Sequence, residues 1–451
     1  MTIAPSADIQ EAVDDAEPSP LPRLKPGKPS AAELAALDPQ WRVRYLLLAP
    51  HRLGFTLAMV VLLASSLWWV LVQVDRVSVT VALPYKVSPT LVHAAAMGLG
   101  FMPLFFAGFL FTAVPKWLRI EAMNARLLVA PLGMQALGWL LWLTGTHIHL
   151  GCVLAGLALV WSGLARLTWL YWRMIWRSRE DDRMHARLVG WACLWGCVCV
   201  GGLLMALVVD EGQIALAWVL SALWGFVTVV FVSVAHRLIP FFTSSAMPLI
   251  EAPYAFWALG VMLAAAIFEV AAVWVDLPTP FESRPWWTLT RGVVEALAGA
   301  VLLWLAARWA RSHGLKNRML MMLHVGFLWL GLALMLGGIA QLLGWLQSAP
   351  VLSLGALHAL TMGCLGSLML AMVTRISCAH SGRAAQADAT VWILFWVLQL
   401  AAMARIAASV QGNWAFVLLL PTALLWCGMM LTWGARLLPW YGRVRPDGRP
   451  D

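Results

Sequence analysis

The stretch Leu357–Arg383, LHALTMGCLGSLMLAMVTRISCAHSGR, is an apolar segment of helix length with a histidine near its start and basic residues near its end. A similar segment lies in the first quarter of the chain, where residues 93–98, HAAAMG, match residues 358–363, HALTMG. A four-residue step along a helix puts the histidine and the methionine on the same face. Because a histidine inside an apolar span is a functional-site candidate, the match predicts two helices that bind one shared ligand.

The composition is that of a membrane protein. Of the 451 residues, 61% are hydrophobic and 12% are charged, whereas a soluble domain carries about 25% charged residues. A bilayer is crossed by about 20 apolar residues in a helix, and the chain contains twelve such runs. We therefore predict an all-α, polytopic integral membrane protein with about twelve transmembrane helices. The predicted spans are 53–73, 91–115, 127–145, 150–172, 188–209, 213–235, 254–275, 291–309, 319–345, 351–376, 390–410 and 414–437.

The loops predict how the bundle is oriented. Basic residues follow the even-numbered spans, whereas the opposite loops carry acidic residues such as Asp75, Asp210 and Asp276. Because cytoplasmic loops retain Lys and Arg, both termini are predicted to be cytoplasmic. The basic loops also account for the net charge of +9, so nucleic-acid binding is not indicated.

The chain divides into three predicted parts. Residues 1–45 are polar, acidic and then proline-rich, which is typical of a disordered tail, here a cytoplasmic one. Residues 46–438 form the twelve-helix transmembrane domain, and residues 439–451 form a basic cytoplasmic C-terminal tail.

Helices 2, 6 and 10 end in similar motifs, which are VPKW at 114–117, HRLIP at 236–240 and VTR at 373–375. Motifs that recur at every fourth helix indicate an internally repeated architecture. The spacing therefore predicts three quasi-repeats of four helices.

His93 and His358 are the strongest candidate site. At 1.5 Å rise per residue, both fall within roughly 12 Å of the outer surface. Imidazole is a good ligand for haem iron and for copper, so we expect the two histidines to hold one b-type haem as axial ligands, with Met97 and Met362 as further candidate ligands. The alternative is two separate histidines that form hydrogen bonds between helices. The glycines expected to let a flat macrocycle approach are Gly98, Gly100, Gly363 and Gly366.

A second histidine group is predicted near the cytoplasmic ends of helices 6, 9 and 10. His236, His324 and His380 could form a copper site or bind an anionic group, with Arg237 and Arg375 as counter-charges. The alternative is that these side chains anchor loops at the membrane interface.

Several charged or polar side chains lie within or beside the apolar spans. Glu269 and Glu295 could converge with Arg291 as a proton or ion path, or as an ion pair that only fixes packing. Arg166 and Arg405 are further charges within spans, and His147, His149 and Cys152 resemble a metal motif whose first two residues do not share a helix face. The chain has no GxxxxGK[ST] loop and no CxxCH motif, so nucleotide-driven transport and covalent haem are not expected.

These motifs together resemble the NnrS family from about Ala49 to Trp433. The resemblance rests on the segments PHR at 50–52, His93 with GFLFTAVPKW at 108–117, HRLIPFFT at 236–243, LHVG at 323–326, and HALTMG at 358–363 through Arg375 to HSGR at 380–383. It implies a bacterial inner-membrane protein that contains haem and copper, acts in the response to nitric oxide and nitrosative stress, and is often expressed beside denitrification functions.

The chain departs from the family pattern in its second helix. Many members carry His-x-His-Glu there, whereas this chain has HAAA at 93–96, so a second metal beside His93 is not supported. A looser similarity links the bundle to the catalytic subunit of haem–copper oxidases. Helix 7 of this chain lacks histidine, so oxygen reduction is not implied.

The expected function is protection from nitric oxide or a metal-nitrosyl species by redox or ligand exchange at a metal centre. Two alternatives remain open at this point. One is a transporter or exporter of a metal, haem or metal-nitrosyl species that uses Glu269, Glu295 and Arg166, and the other is a sensor or assembly factor for a respiratory complex. The expected partners are lipid, haem and the nitrosyl ligand, together with an unidentified respiratory partner.

Overall fold

The computed structural model describes residues 40–78, 82–246, 256–278, 280–313, 317–351, 353–410 and 414–446. Within these residues, twelve helices are long and apolar enough to cross a membrane, which confirms the predicted number. Each of them contains most of one span predicted from the sequence. They are α1 (Pro50–Val77), α2 (Pro89–Trp117), α3 (Ala125–Ile148), α4 (Leu150–Arg177), α5 (Met184–Val208), α6 (Gly212–Leu238), α7 (Phe256–Asp276), α8 (Pro285–Arg311), α9 (Arg318–Gln347), α10 (Leu354–His380), α11 (Ala389–Ala407) and α12 (Val417–Tyr441).

Local sequence signals explain where several helices begin. Prolines occupy the first turns of α1 and α2, where a missing backbone N–H costs nothing. The side chain of Asn317 accepts hydrogen bonds from the backbone N–H groups of Met319 and Leu320, and Asp388 accepts one from Val391. Such N-caps satisfy donors that have no partner within the helix.

Helices α2, α6 and α10 form the centre of the bundle. In their most apolar stretches 78%, 67% and 72% of residues are buried, against 33% to 56% in the other spans. Each central helix also contains a π-helical segment after its first turns, at Ala96–Gly100, Leu223–Thr228 and Ala359–Gly366. Both features recur at every fourth helix, which supports the predicted quasi-repeat.

The segments at the start of α1 and at the end of α12 meet at the end of the bundle that carries the basic loops, which we term the basic end. The Arg52 guanidinium donates hydrogen bonds to the carbonyl groups of Tyr441 and Arg443, at 3.0 and 2.6 Å. Helix α12 continues to Tyr441, so it extends into the segment 439–451 that was predicted as a tail.

The predicted N-terminal tail is described only in part. Residues 1–39 lie outside the described residues, and Val43–Leu47 forms a 3₁₀ helix that leads into α1. The backbone N–H of Arg42 donates to the carbonyl of Gly442 at 2.8 Å. The last residues before α1 are therefore attached to the C-terminal segment.

Helices α3 and α4 pack with their backbones in close contact. A Cβ atom added at Gly138 would lie 2.5 Å from the carbonyl oxygen of Gly156, and one added at Gly156 would lie 2.6 Å from that of Gly138. Small residues at helix crossings allow this approach in membrane proteins.

We expect Gly138→Ala to lower the stability of the bundle, because the added methyl group has no space between α3 and α4. Overpacking of this kind costs about 1–3 kcal/mol, which is larger than the helix-propensity gain of about 1 kcal/mol for replacing glycine with alanine. The thermal unfolding midpoint in detergent measures the effect. Gly428→Ala is the matched control, because a Cβ there has no atom within 4 Å; equal midpoints for the two variants would contradict the prediction.

Candidate functional site

His93 lies in the first turns of α2, against α1. Its ring stacks on Trp69 with a centroid distance of 3.7 Å and an interplanar angle of 25°. Its Nδ1 atom is buried and has no hydrogen-bond partner. A buried polar atom without a partner is costly, so the protein gains if another group binds this imidazole.

His358 lies at the matching position of α10 and has a fixed tautomer. Its Nδ1 atom is 2.7 Å from the carbonyl oxygen of Leu354, one turn earlier in the same helix. A carbonyl group can only accept a hydrogen bond, so Nδ1 carries the proton and Nε2 keeps its lone pair. Metal-binding histidines have this arrangement, in which one nitrogen donates to a carbonyl and the other binds the metal.

The structure brings the two histidines into one region. His93 lies within electrostatic range of His358, and both lie within range of Arg405. Binding of haem by this pair stays a prediction, because the sequence motif and the placement show proximity and not occupancy.

Met97 and Met362 lie within the π-helical segments that follow the two histidines. Both are half-buried and pack against the core. The π-helical hydrogen-bond step is i to i+5 instead of i to i+4, so the α-helical register that we assumed between histidine and methionine does not continue through these turns.

The four glycines near the histidines have different surroundings. A Cβ at Gly98 would have no atom within 4 Å, so this position faces open space. A Cβ at Gly363 would lie 2.5 Å from the Trp329 ring, and Gly100 and Gly366 are also in contact with side chains. The expectation that all four glycines leave space for a flat macrocycle is therefore wrong for Gly363, which accommodates Trp329.

The histidines of the basic end form two contacts between helices. The rings of His51 in α1 and His380 in α10 have centroids 4.4 Å apart. The Nε2 atom of His185 in α5 lies 2.9 Å from Nδ1 of His236 in α6. Nothing in the local sequence links His185 to a histidine 51 residues away, so this contact is not predicted from the sequence.

The assignment of His236, His324 and His380 to a copper or anion site stays a prediction. His324 is half-buried in α9, and the described residues contain no cluster of three or more His, Cys, Asp or Glu side chains that could hold a metal ion. Arg237, proposed as a counter-charge, lies 3.7 Å from the Asp182 carboxylate and stacks over Trp117. Arg375 is half-buried in α10.

His147 and His149 have structural roles. His147 donates from Nδ1 to the Pro84 carbonyl oxygen at 2.8 Å and accepts from the Trp68 indole at Nε2. His149 accepts a hydrogen bond from the backbone N–H of Gly151 as the N-cap of α4. Both nitrogen atoms of His147 are thus already used.

The opposite end of the bundle, at which α2, α6 and α10 begin, is the acidic end, and it contains an ion network. Arg291 of α8 binds Glu269 of α7 at 2.8 Å, Glu295 at 2.6 Å, and Asp276. Asp276 also accepts hydrogen bonds from Arg284 at 2.5 Å and from the Trp287 indole at 2.7 Å. The predicted convergence of Glu269, Glu295 and Arg291 is confirmed, and Asp276 and Arg284 are added to it.

This network lines a cavity of about 470 Å³ between α6, α7, α8, α9 and α10. Its wall on α10 includes Leu354 and Leu357, the residues beside His358. Arg166, which the transporter alternative would use, is exposed on α4 and stacks over Trp169. It therefore does not belong to the cavity.

The structure is that of a polytopic membrane protein of twelve helices, with a histidine in the first turns of α2 and of α10 and a charged cavity at the acidic end. The family model described as NnrS protein matches residues 45–445, nearly the whole chain, and the chain belongs to this family. No curated protein matches the chain.

We expect Arg291→Met to destabilise the protein strongly, because three carboxylates would lose their shared cation in a buried site. Removing one partner of a buried ion pair costs about 3–5 kcal/mol. Arg436→Met is the control, because the side chains of Arg436 and Asp388 are 28% and 49% exposed and such pairs contribute about 0–1 kcal/mol. Thermal unfolding of both variants in detergent tests the difference; a small effect at Arg291 would show that the network contributes little to stability.

Proposed function

We propose that this chain is a haem-binding NnrS-type protein of the bacterial inner membrane that protects the cell from nitric oxide and nitrosative stress. In this proposal His93 and His358 hold a b-type haem, and the protein acts by redox or ligand exchange at that centre. Both termini are cytoplasmic, as the basic loops predict. Family membership supports the general assignment, and the state of the two imidazoles supports the site.

The imidazoles fit a haem for three reasons. Nε2 of His358 keeps a lone pair, because Nδ1 donates to Leu354. His93 has a buried ring nitrogen without a hydrogen-bond partner, and Gly98 faces open space one turn further along α2. The single observation that carries the proposal is the tautomer of His358, which leaves the lone pair of Nε2 available to a metal.

When bound by two strong axial ligands, haem supplies one-electron transfer, and binding of nitric oxide requires one ligand to leave. The two proposed haem ligands are held by different contacts. His358 is anchored by a hydrogen bond within α10, whereas His93 is held by stacking on Trp69. Because Nδ1 of His93 has no hydrogen-bond partner, His93 would be the easier of the two ligands to displace from a haem bound through its Nε2.

Copper is the second metal in the proposal. Four described imidazoles of the basic end form two contacting pairs, His51 with His380 and His185 with His236. In the second pair the facing nitrogen atoms bind each other, so a metal would have to displace that hydrogen bond. We therefore propose His51 and His380 as copper ligands in preference to His185 and His236, with His324 as a further candidate ligand.

The test is the reduced-minus-oxidised visible spectrum of the purified protein and of His93→Ala and His358→Ala. We expect the wild type to show a low-spin b-type spectrum, and each substitution to abolish it or to convert it to high spin because one axial ligand is lost. His149→Ala is the control, since His149 caps α4 and contacts neither site histidine. A colourless wild type, or site variants that keep the wild-type spectrum, would contradict the proposal.

One observation favours transport as a second candidate function. The cavity at the acidic end brings Glu269 and Glu295 to a space between five helices, as a pathway for a cation or a metal species would require. A transporter without a cofactor would purify colourless and would show flux in proteoliposomes that Glu295→Gln reduces. Haem binding without any flux would exclude this candidate.

A further inference from the structure

The cavity at the acidic end receives its charges from two helices only. Glu269 and Asp276 come from α7, Arg291 and Glu295 come from α8, and Arg284 comes from the segment just before α8. The described lining residues of α6, α9 and α10 include no charged side chain, and their polar members are Gln213 and Gln341. The charge of the site is therefore set by three carboxyl groups and two guanidinium groups.

These charges do not balance when every group is ionised. Two guanidinium groups against three carboxylates give +2 − 3 = −1 for the network. Uncompensated charge is expensive in a site removed from water. One bound proton would bring the network to neutrality.

Hydrogen-bond partners indicate which carboxyl group takes this proton. Asp276 accepts from Arg284, Trp287 and Arg291. Glu269 accepts from Nη2 of Arg291 at 2.8 Å. Glu295 accepts from Nε of Arg291 at Oε1 only, and its Oε2 atom is buried without a hydrogen-bond partner.

The unpartnered oxygen of Glu295 lies at the cavity wall beside α9. A Cβ added at Gly337 would lie 2.5 Å from Oε2, so the glycine leaves the space that this oxygen occupies. Gly337 and Glu295 both line the cavity, and the Glu295 side chain is only 3% exposed. Oε2 has no donor, and the Glu269 carboxyl lies within hydrogen-bonding range of Glu295, so a proton on Glu295 can be shared with this second carboxyl group.

We propose that Glu295 binds an exchangeable proton that enters through the cavity, and that this proton is taken up when the centre at His358 is reduced. The proton site does not depend on the proposed function, whereas the coupling to reduction rests on it. The connection is short, because Leu354 lines the cavity and its carbonyl oxygen accepts the hydrogen bond from His358.

The coupling is balanced as one electron and one proton. A one-electron reductant would supply the electron to a haem held by His93 and His358, and water at the mouth of the cavity supplies the proton to Glu295. Only an O–H bond forms in the protein, and it breaks again when the electron leaves. The added negative charge favours protonation of a nearby carboxylate through Coulomb attraction in a medium of low dielectric constant.

A proton fits this site better than a metal ion. Calcium takes six to eight oxygen ligands, and magnesium requires near-octahedral coordination. Here the Arg291 guanidinium already occupies the position between the three carboxyl groups. Oε2 of Glu295 is thus a single open acceptor beside a fixed positive charge, which suits one proton.

Infrared spectroscopy of the full-length protein under reducing conditions tests the proton site, and the expected band does not require bound haem. We expect a C=O band of a protonated carboxyl group that moves to lower frequency in D₂O, because the proton exchanges with solvent. Glu295→Gln should remove this band, and Glu121→Gln, which changes an exposed carboxyl at the basic end, should keep it. The absence of the band from the wild type, or its persistence in Glu295→Gln, overturns the proposal.

A second variant covers the case in which Glu295→Gln fails to fold. Gly337→Ala keeps the carboxyl group but places a methyl group against Oε2, so we expect the band to remain at a changed frequency. A band unchanged in Gly337→Ala would place the proton on another carboxyl group. Size-exclusion chromatography establishes that each variant is folded before its spectrum is compared.

The coupling is tested by redox titration of the haem at a series of pH values. In the wild type we expect the midpoint potential to fall as pH rises, because reduction binds a proton. Glu295→Gln should lose most of this dependence, while Glu121→Gln should keep it. If the wild type shows the infrared band but binds no haem, the proton site stands, and both the coupling and the proposed function are overturned. If it binds haem but shows no band, the proton site is overturned and the proposed function stands.

Discussion

A bilayer offers no hydrogen-bond partner to an exposed backbone group, and this constraint governs the whole molecule. Twelve helices satisfy most backbone groups within themselves, so the bundle is assembled by side-chain contacts and close helix packing. The three most buried helices depart from regular geometry through a π-helical turn. Such turns are tolerated where neighbouring helices surround the backbone, and they are frequent at functional sites.

The two histidines of the central helices are prepared for a ligand in different ways. His358 has its proton fixed on Nδ1 by a carbonyl oxygen of its own helix. His93 is positioned by the Trp69 ring of the neighbouring helix and keeps a buried nitrogen without a partner. One imidazole is therefore held by a hydrogen bond within its own helix, and the other by stacking on a neighbouring helix.

The ion network at the acidic end has both a structural and an electrostatic role. Arg291 binds three carboxylates from two helices, so it ties α7 to α8 and also sets the charge of the cavity. A network with one carboxylate more than it has cations gains by holding a proton. The cavity reaches Leu354 and Leu357, in the turn of α10 that ends at His358.

The sequence by itself determined the twelve spans, the helix starts and the match of His93 with His358. The signals for them are the length of apolar runs, capping residues and short motifs, and each of these involves only residues that are close together in the sequence. It also indicated that Glu269, Glu295 and Arg291 would converge. Only the tertiary structure decided the partners that come from distant helices: Trp69 against His93, His185 against His236, and the exposure of Arg166. Helix rotation and packing select these contacts, and no local pattern encodes which face of a wholly apolar helix meets which neighbour.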